Sequence, residues 1–131
     1  MTLVIDASVV VAALVDDSPV GHWAEALVAR QPLAAPHLMP VEAANVLRRA
    51  ALAGDIPEAL ASLAHADLVA LPVELFPYEP FATRSWDLRG AVSAYDAWYV
   101  ALAESLAAPL ATLDGRLSRA PGPRCRFLTS P

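Results

Sequence analysis

The chain has 131 residues, of which 56% are apolar, 18% are charged and only 5 are glycine, a composition that fits one folded domain, 1–131, with a substantial core and excludes long disordered or low-complexity stretches. The formal net charge is −5 and all nine basic residues are arginine, so lysine-dependent catalysis is excluded. A single cysteine, Cys125, excludes an internal disulfide and suits a reducing compartment, so a cytoplasmic location is expected.

The chain opens on the stretch "TLVIDAS". Residues 2–5 are continuously apolar and rich in β-formers, as a strand buried on both faces should be, and 7–15 continue as a helix. Asp6 interrupts the apolar run and no basic leader precedes it, so no export signal is expected. The run "VVVAALV" also falls far short of the ~20 residues that span a bilayer, so no membrane association is expected. A second helix is predicted across "GHWAEALVAR", and the proline-rich "PLAAPHL" after it reads as a short strand or connector. In "MPVEAANVLRRAALAG", Pro40 suits the first turn of a helix, Glu42 complements its positive end, and Gly54 can terminate it.

"IPEALASLAHADLVAL" repeats the proline-then-acid opening and predicts another helix, after which "PVELF" has the length and composition of a strand. Residues 79–89 are predicted helical. "SAYDAWYVALAESLAA" is a further helix with Ser93 as its cap, ended by Pro109, and "LATLD" is a strand closing on Asp114 and Gly115. "RCRFLT" adds an edge strand. Strands alternating with helices of these lengths predict the α/β class, with layers of helices around a mainly parallel sheet. No internal repeat or linker is visible.

The acids now acquire a common position. Asp6 and Asp114 fall at the carboxyl ends of strands, which parallel strands present on one edge, and Glu42 and Asp96 fall in the first turns of helices that begin at that edge. Each has a purely structural explanation. Asp6 could cap the next helix, Asp114-Gly115 could be a turn, Glu42 could answer a helix dipole, and Ser93-x-x-Asp96 could be a variant capping box. Taken together they repel one another, and in a partly desolvated cleft without lysine that repulsion is relieved by protonation or by a divalent cation.

Oxygen-only donors favour Mg2+ or Mn2+ over zinc, and His22, His37 and His65 show no paired ligand spacing, so they read as surface or packing residues. Ser8, Asn45 and Thr112 stand where they could orient the acids. Arg48 and Arg49 follow Glu42, and Arg116 and Arg119 follow Asp114; these could contact phosphates in spite of the acidic net charge, or simply form solvated helix faces. Trp23, Trp86 and Trp98 could stack on bases but suit packing or an interface better. The mean hydropathy of +0.44 and the aromatic-rich helix at 95–102 predict an apolar face covered by a second copy, hence a homodimer.

The segments "VIDASVVVAAL", "PVEAANVLRR", "AYDAWYVALAESLAAPLATLD" and "GRLSRA" resemble, end to end, the PIN-domain ribonucleases, in particular the VapC-type toxins of VapBC toxin–antitoxin modules. The resemblance implies a three-layer α/β/α sandwich, an acidic metal site at Asp6, Glu42, Asp96 and Asp114, and Mg2+- or Mn2+-dependent endoribonuclease activity. It also implies a homodimer neutralised by a cognate VapB-type antitoxin. It leaves the RNA target open. Two alternatives start from other classes. A phosphotransfer enzyme of the haloacid-dehalogenase type, or a receiver domain, also begins with a strand ending in aspartate; both normally need a lysine, absent here, and Asp6 is followed by Ala7-Ser8 rather than by an acid at i+2. A PIN-like fold kept as a protein-binding module would leave the acids merely structural.

Overall fold

The computed structural model describes residues 1–30 and 32–131. Among these, strands β1 (Leu3–Ile5), β2 (Leu33–Pro36), β3 (Val73–Phe76), β4 (Leu110–Ala111) and β5 (Phe127–Leu128) form one sheet in the order β3-β2-β1-β4-β5, with every pair parallel. Every residue of β1, β2 and β4 is buried, as uninterrupted apolar runs require when helices cover both faces; β3 at the edge is half exposed.

The helices are α1 (Ala7–Val15), α2 (Pro19–Arg30), α3 (Met39–Leu52), α4 (Glu58–Ala70), α5 (Ala82–Asp87), α6 (Ala94–Leu106) and the single turn α7 (Gly115–Ser118). Right-handed crossovers dictate their sides. The connections from β1 to β2 and from β2 to β3 run one way along the sheet and put α1 to α4 on one face, where they pack on each other. The connection from β3 to β4 runs the other way and puts α5 and α6 on the opposite face, with α6 against β1, β2 and β4. This is the three-layer α/β/α sandwich expected from the sequence. Gly21 lets α2 approach the end of α1, because a Cβ there would meet the Asp16 carbonyl oxygen at 1.6 Å. Arg84 on α5 donates twice to Glu104 on α6, at 2.7 and 3.1 Å, and Glu104 also accepts from the Arg124 backbone, tying down the C-terminal segment.

Several boundaries differ from expectation for local reasons. The strand expected at 110–114 pairs only over Leu110–Ala111, because Thr112 and Asp114 are drawn into side-chain hydrogen bonds and Asp114 starts α7, a turn the sequence reading missed. The expected 79–89 helix divides into a 3-10 turn, Glu79–Phe81, and α5, with Pro80 in the opening turn. Most of the apolar stretch 95–102 faces inward, with Tyr99, Val100 and Leu102 in the core against the sheet, whereas Tyr95 is exposed. Among the described residues half of the exposed large apolar side chains lie on α3 and α4, at Val41, Leu52, Leu63 and Val69, and the rest are scattered at Met1, Leu75, Trp86 and Tyr95. Among the described residues no helix is long and apolar enough to cross a membrane.

Helix α6 stops before Pro109. It ends in Ala107, which adopts the left-handed conformation with φ 50°, a geometry that costs a residue with a Cβ roughly 1–2 kcal/mol. Ala107→Gly should therefore stabilise the fold by about 0.5–1 kcal/mol after the greater unfolded-state freedom of glycine is subtracted, visible as a small upward shift of the urea midpoint with unchanged slope.

Candidate active site

The chain runs from β1 through β2 to β3 on one side of β1 and then crosses back to β4 on its other side, and a parallel sheet opens a crevice at the carboxyl ends of strands at such a switch point. Asp6 directly follows β1, and Thr112 to Asp114 directly follow the neighbouring β4. Helices α3 and α6 start at the same edge from opposite layers, carrying Glu42 and Asp96 in their first turns. The fold thus brings all four acids to one edge.

Asp6 is the most constrained of them. It occupies the N-cap position of α1, yet its side chain makes no capping bond. Instead its Oδ2 accepts from the Ser8 hydroxyl at 3.0 Å and from the Thr112 hydroxyl at 2.7 Å. Those hydroxyls are oriented in turn, because the Leu113 N–H donates to Ser8 Oγ at 3.2 Å and the Asp114 N–H donates to Thr112 Oγ1 at 3.0 Å. A hydroxyl has one proton, so accepting from the backbone leaves that proton for Asp6. Ser8 and Thr112, singled out in the sequence, therefore touch Asp6 directly. Oδ1 of Asp6 accepts no protein hydrogen bond among the described residues.

The other acids repeat this half-satisfied pattern with variations. Glu42 Oε1 accepts from the Tyr99 hydroxyl at 2.9 Å, a donor the sequence reading overlooked because Tyr99 sits inside an apolar helix stretch that looks like packing. Asp114 Oδ1 accepts from the Arg116 and Leu117 N–H groups at 2.9 and 3.2 Å, so Asp114 does cap a helix, but with only one of its oxygens. Ser93 caps α6 by accepting from the Asp96 N–H at 3.1 Å, and its hydroxyl lies close enough to the Asp96 carboxyl to oppose the rise in its pKa. None of the four acids forms an ion pair there, and their free oxygens are absent from the buried, unpartnered polar atoms, so they open to solvent.

The four acids are divided between two cavities. One, of about 430 Å³, is lined by Asp6, Ser8, Glu42, Asn45 and Arg49, and the other, of about 280 Å³, by Ser93, Asp96, Asp114 and Arg116. Arg49 reaches the acidic side because it lies seven residues, nearly two full turns, beyond Glu42; Arg48 is rotated away and lines the groove between α3 and α4 with His65. Arg119 lines a neighbouring hollow with Thr112, Thr129 and Ser130. Asn45 lines the first cavity without hydrogen bonding to an acid. Neither cavity is lined by histidine or cysteine. Trp23 and Trp98 pack against the core, whereas Trp86 is exposed beneath the Arg89 guanidinium.

The donor chemistry fits a hard divalent cation, with carboxylate oxygens only and free lone pairs facing solvent. Among the described residues no group of three or more His, Cys, Asp or Glu side chains is placed closely enough to hold an ion by itself, so water would have to complete the coordination of any ion bound there. Burial raises the Glu42 carboxyl above its ordinary value, opposed by the Tyr99 hydrogen bond and reinforced by the charges of Asp6 and Asp96. Burial likewise raises Asp96, reinforced by Asp6 and Asp114. Tyr99, buried and facing Glu42 and Asp6, is pushed far up and stays a neutral donor.

Raised carboxyls favour the folded chain while protonated and oppose it once ionised, so this stabilisation is lost as pH rises through their raised range. In chelator, these two carboxyls should therefore make the melting temperature rise as pH falls through their raised range. Asp96→Asn should raise it at neutral pH and flatten that dependence, as scanning calorimetry would show; a lower melting temperature for the variant would mean that the Asp96 charge stabilises the fold.

Residues 3–123 match the PIN domain family. Ribonuclease VapC1 of Mycobacterium tuberculosis is 43% identical over 131 aligned residues, which cover 93% of this chain and 96% of that protein. Among solved structures, VapBC2 from Rickettsia felis, bound to a DNA fragment from its promoter, superposes with a TM-score of 0.68 at 13% identity, covering 98% of each chain. Mycobacterium tuberculosis VapC20, a sarcin-ricin loop cleaving toxin, superposes with a TM-score of 0.67 at 18% identity, covering 88% of this chain and 92% of that one. These last two share the fold, and the first shares the sequence as well. The phosphotransfer alternative falls away, and the chain belongs to the PIN-domain family, in its VapC ribonuclease branch.

Proposed function

We propose that this chain is the toxin component of a type II toxin–antitoxin pair, a divalent-metal-dependent endoribonuclease that hydrolyses RNA phosphodiester bonds at Asp6, Glu42, Asp96 and Asp114. The observation that carries the reading is that four acids at one crevice each keep an oxygen free of protein donors, with no arginine paired to any of them among the described residues.

Asp6 and Asp96 would hold Mg2+ or Mn2+ directly, with Glu42 and Asp114 bound directly or through water. The ion supplies Lewis-acid stabilisation of the charge that builds on the phosphoryl oxygens. The residues of the chain do the rest. Ser8 and Thr112 keep Asp6 Oδ2 turned away so that Oδ1 faces the crevice. Arg49 and Arg116 flank the acids on either side, where a guanidinium fork can take the phosphates next to the one attacked. In the reaction a water oxygen bonds to phosphorus, the bond to the leaving sugar oxygen breaks, and that oxygen takes up the proton the water gives up.

A VapB-type antitoxin is the partner in this reading, and the active unit is a cytoplasmic homodimer in which the apolar side chains left exposed on α3 and α4 give the reason for association. Purified protein should cleave RNA with Mn2+ or Mg2+, lose cleavage in EDTA and regain it on adding Mn2+. Asp96→Asn should lower cleavage at least about a hundredfold, the size expected when several kcal/mol of charge stabilisation is removed. Cleavage indifferent to both treatments would overturn the assignment. If a basic antitoxin side chain enters the acidic crevice, Asp6→Asn/Asp96→Asn should weaken antitoxin binding and Mn2+ should compete with it, both measurable by titration calorimetry.

A further inference from the structure

The two helical layers meet over the sheet edge through one side-chain hydrogen bond. Tyr99 is only 2% exposed, with its ring in the core on α6, and its hydroxyl donates to Glu42 Oε1 on α3 at 2.9 Å. Among the described residues no other side-chain hydrogen bond joins α3 to α6. Tyr99 lies three residues beyond Asp96, so a single turn of α6 carries both a crevice carboxylate and the donor that reaches the carboxylate of the opposite layer.

The four acids differ in what restrains them. Asp6 has two hydroxyl donors and Asp114 has two backbone donors, so losing one bond leaves another in place. Glu42 has the Tyr99 hydroxyl alone, on a longer and more rotatable side chain, and it makes no helix cap. Without that bond its carboxylate would sample several rotamers, and each productive encounter would have to order it again.

We infer that Tyr99 is a positioning residue for RNA cleavage, whose hydroxyl holds Oε1 of Glu42 and thereby presents Oε2 to the crevice. The inference rests on the reading of Glu42 as a member of the metal-binding set.

Tyr99→Phe tests it, since the ring and its packing remain while the donor is removed. The variant should melt within a few degrees of wild type and keep the KM for an RNA oligonucleotide, while kcat falls roughly 10- to 100-fold, the range typical when a residue that orients a ligand is lost. Mn2+ binding to the RNA-free protein, followed by electron paramagnetic resonance of the free ion, should weaken in parallel. In a Glu42→Gln background, Tyr99→Phe should cause no further loss, because the two groups act as one unit. Placing 4-aminophenylalanine at 99, which restores an N–H donor on the same ring, should recover most of kcat even if the Phe variant folds poorly. Wild-type kcat and Mn2+ affinity in Tyr99→Phe, alongside an inactive Glu42→Gln, would overturn the inference and leave the acidic site standing. A full additional loss in the Glu42→Gln background, or failure of the amino analogue to rescue, would overturn it too, assigning Tyr99 to packing. Glu42→Gln and Asp96→Asn both cleaving at the wild-type rate would remove the acidic site itself.

Discussion

The arrangement turns on one oxygen. Asp6 Oδ2 receives two hydroxyl protons, from Ser8 on α1 and from Thr112 just after β4, and each hydroxyl is held by a backbone N–H of the β4–α7 connection. The strand that contributes Asp6 and the strand that contributes Asp114 are thereby locked together at the point where the sheet changes direction. Thr112 is 0% exposed, so this bond works away from solvent, where an unmet partner costs most. The same two bonds that join the strands occupy Oδ2 of Asp6 and leave its other oxygen without a protein donor among the described residues.

The molecule accepts an electrostatic cost at this edge. Carboxylates crowd together with no lysine and no paired arginine among the described residues, and burial adds to the repulsion for Glu42 and Asp96. One carboxylate away from this edge is paired: Glu104, although burial alone would raise it, is held below the ordinary carboxyl range by Arg84 and by the Arg124 backbone. The contrast separates a carboxylate that staples helices from carboxylates kept available. Unrelieved charge in a water-accessible crevice is the electrostatic condition under which a divalent cation binds favourably.

Helix α6 joins both roles. Its inner face, with Tyr99, Val100 and Leu102, fills the core against the sheet, and its first turn supplies Asp96. A rigid, deeply buried helix fixes a carboxylate more tightly than a loop could, and for the same reason it can reach across with Tyr99 and steady Glu42 in the opposite layer.

Much of this was legible in the linear sequence. Period and composition marked strands at 2–5 and 110–114 and helices within 39–54 and 93–108, close to the observed elements except that the later strand pairs only over Leu110–Ala111, and the placing of Asp6, Glu42, Asp96 and Asp114 near their ends is a matter of chain order alone. Parallel pairing then forces those ends to one edge. What the sequence could not decide depends on side-chain direction and on contacts between distant residues. Arg48 and Arg49 are adjacent letters, yet helical rotation sends one into the α3–α4 groove and the other to the acids. Tyr99 reads as core, and only the meeting of α3 and α6 over the sheet shows that its hydroxyl has a carboxylate partner, Glu42, 57 residues away. Asp114 reads as a strand end or a turn, and the fold makes it a cap with one oxygen to spare. Chain order determined which chemical groups reach the crevice, because strand polarity is a local property. Tertiary structure alone determined how each is held, because a hydrogen bond depends on where two remote backbones place their side chains.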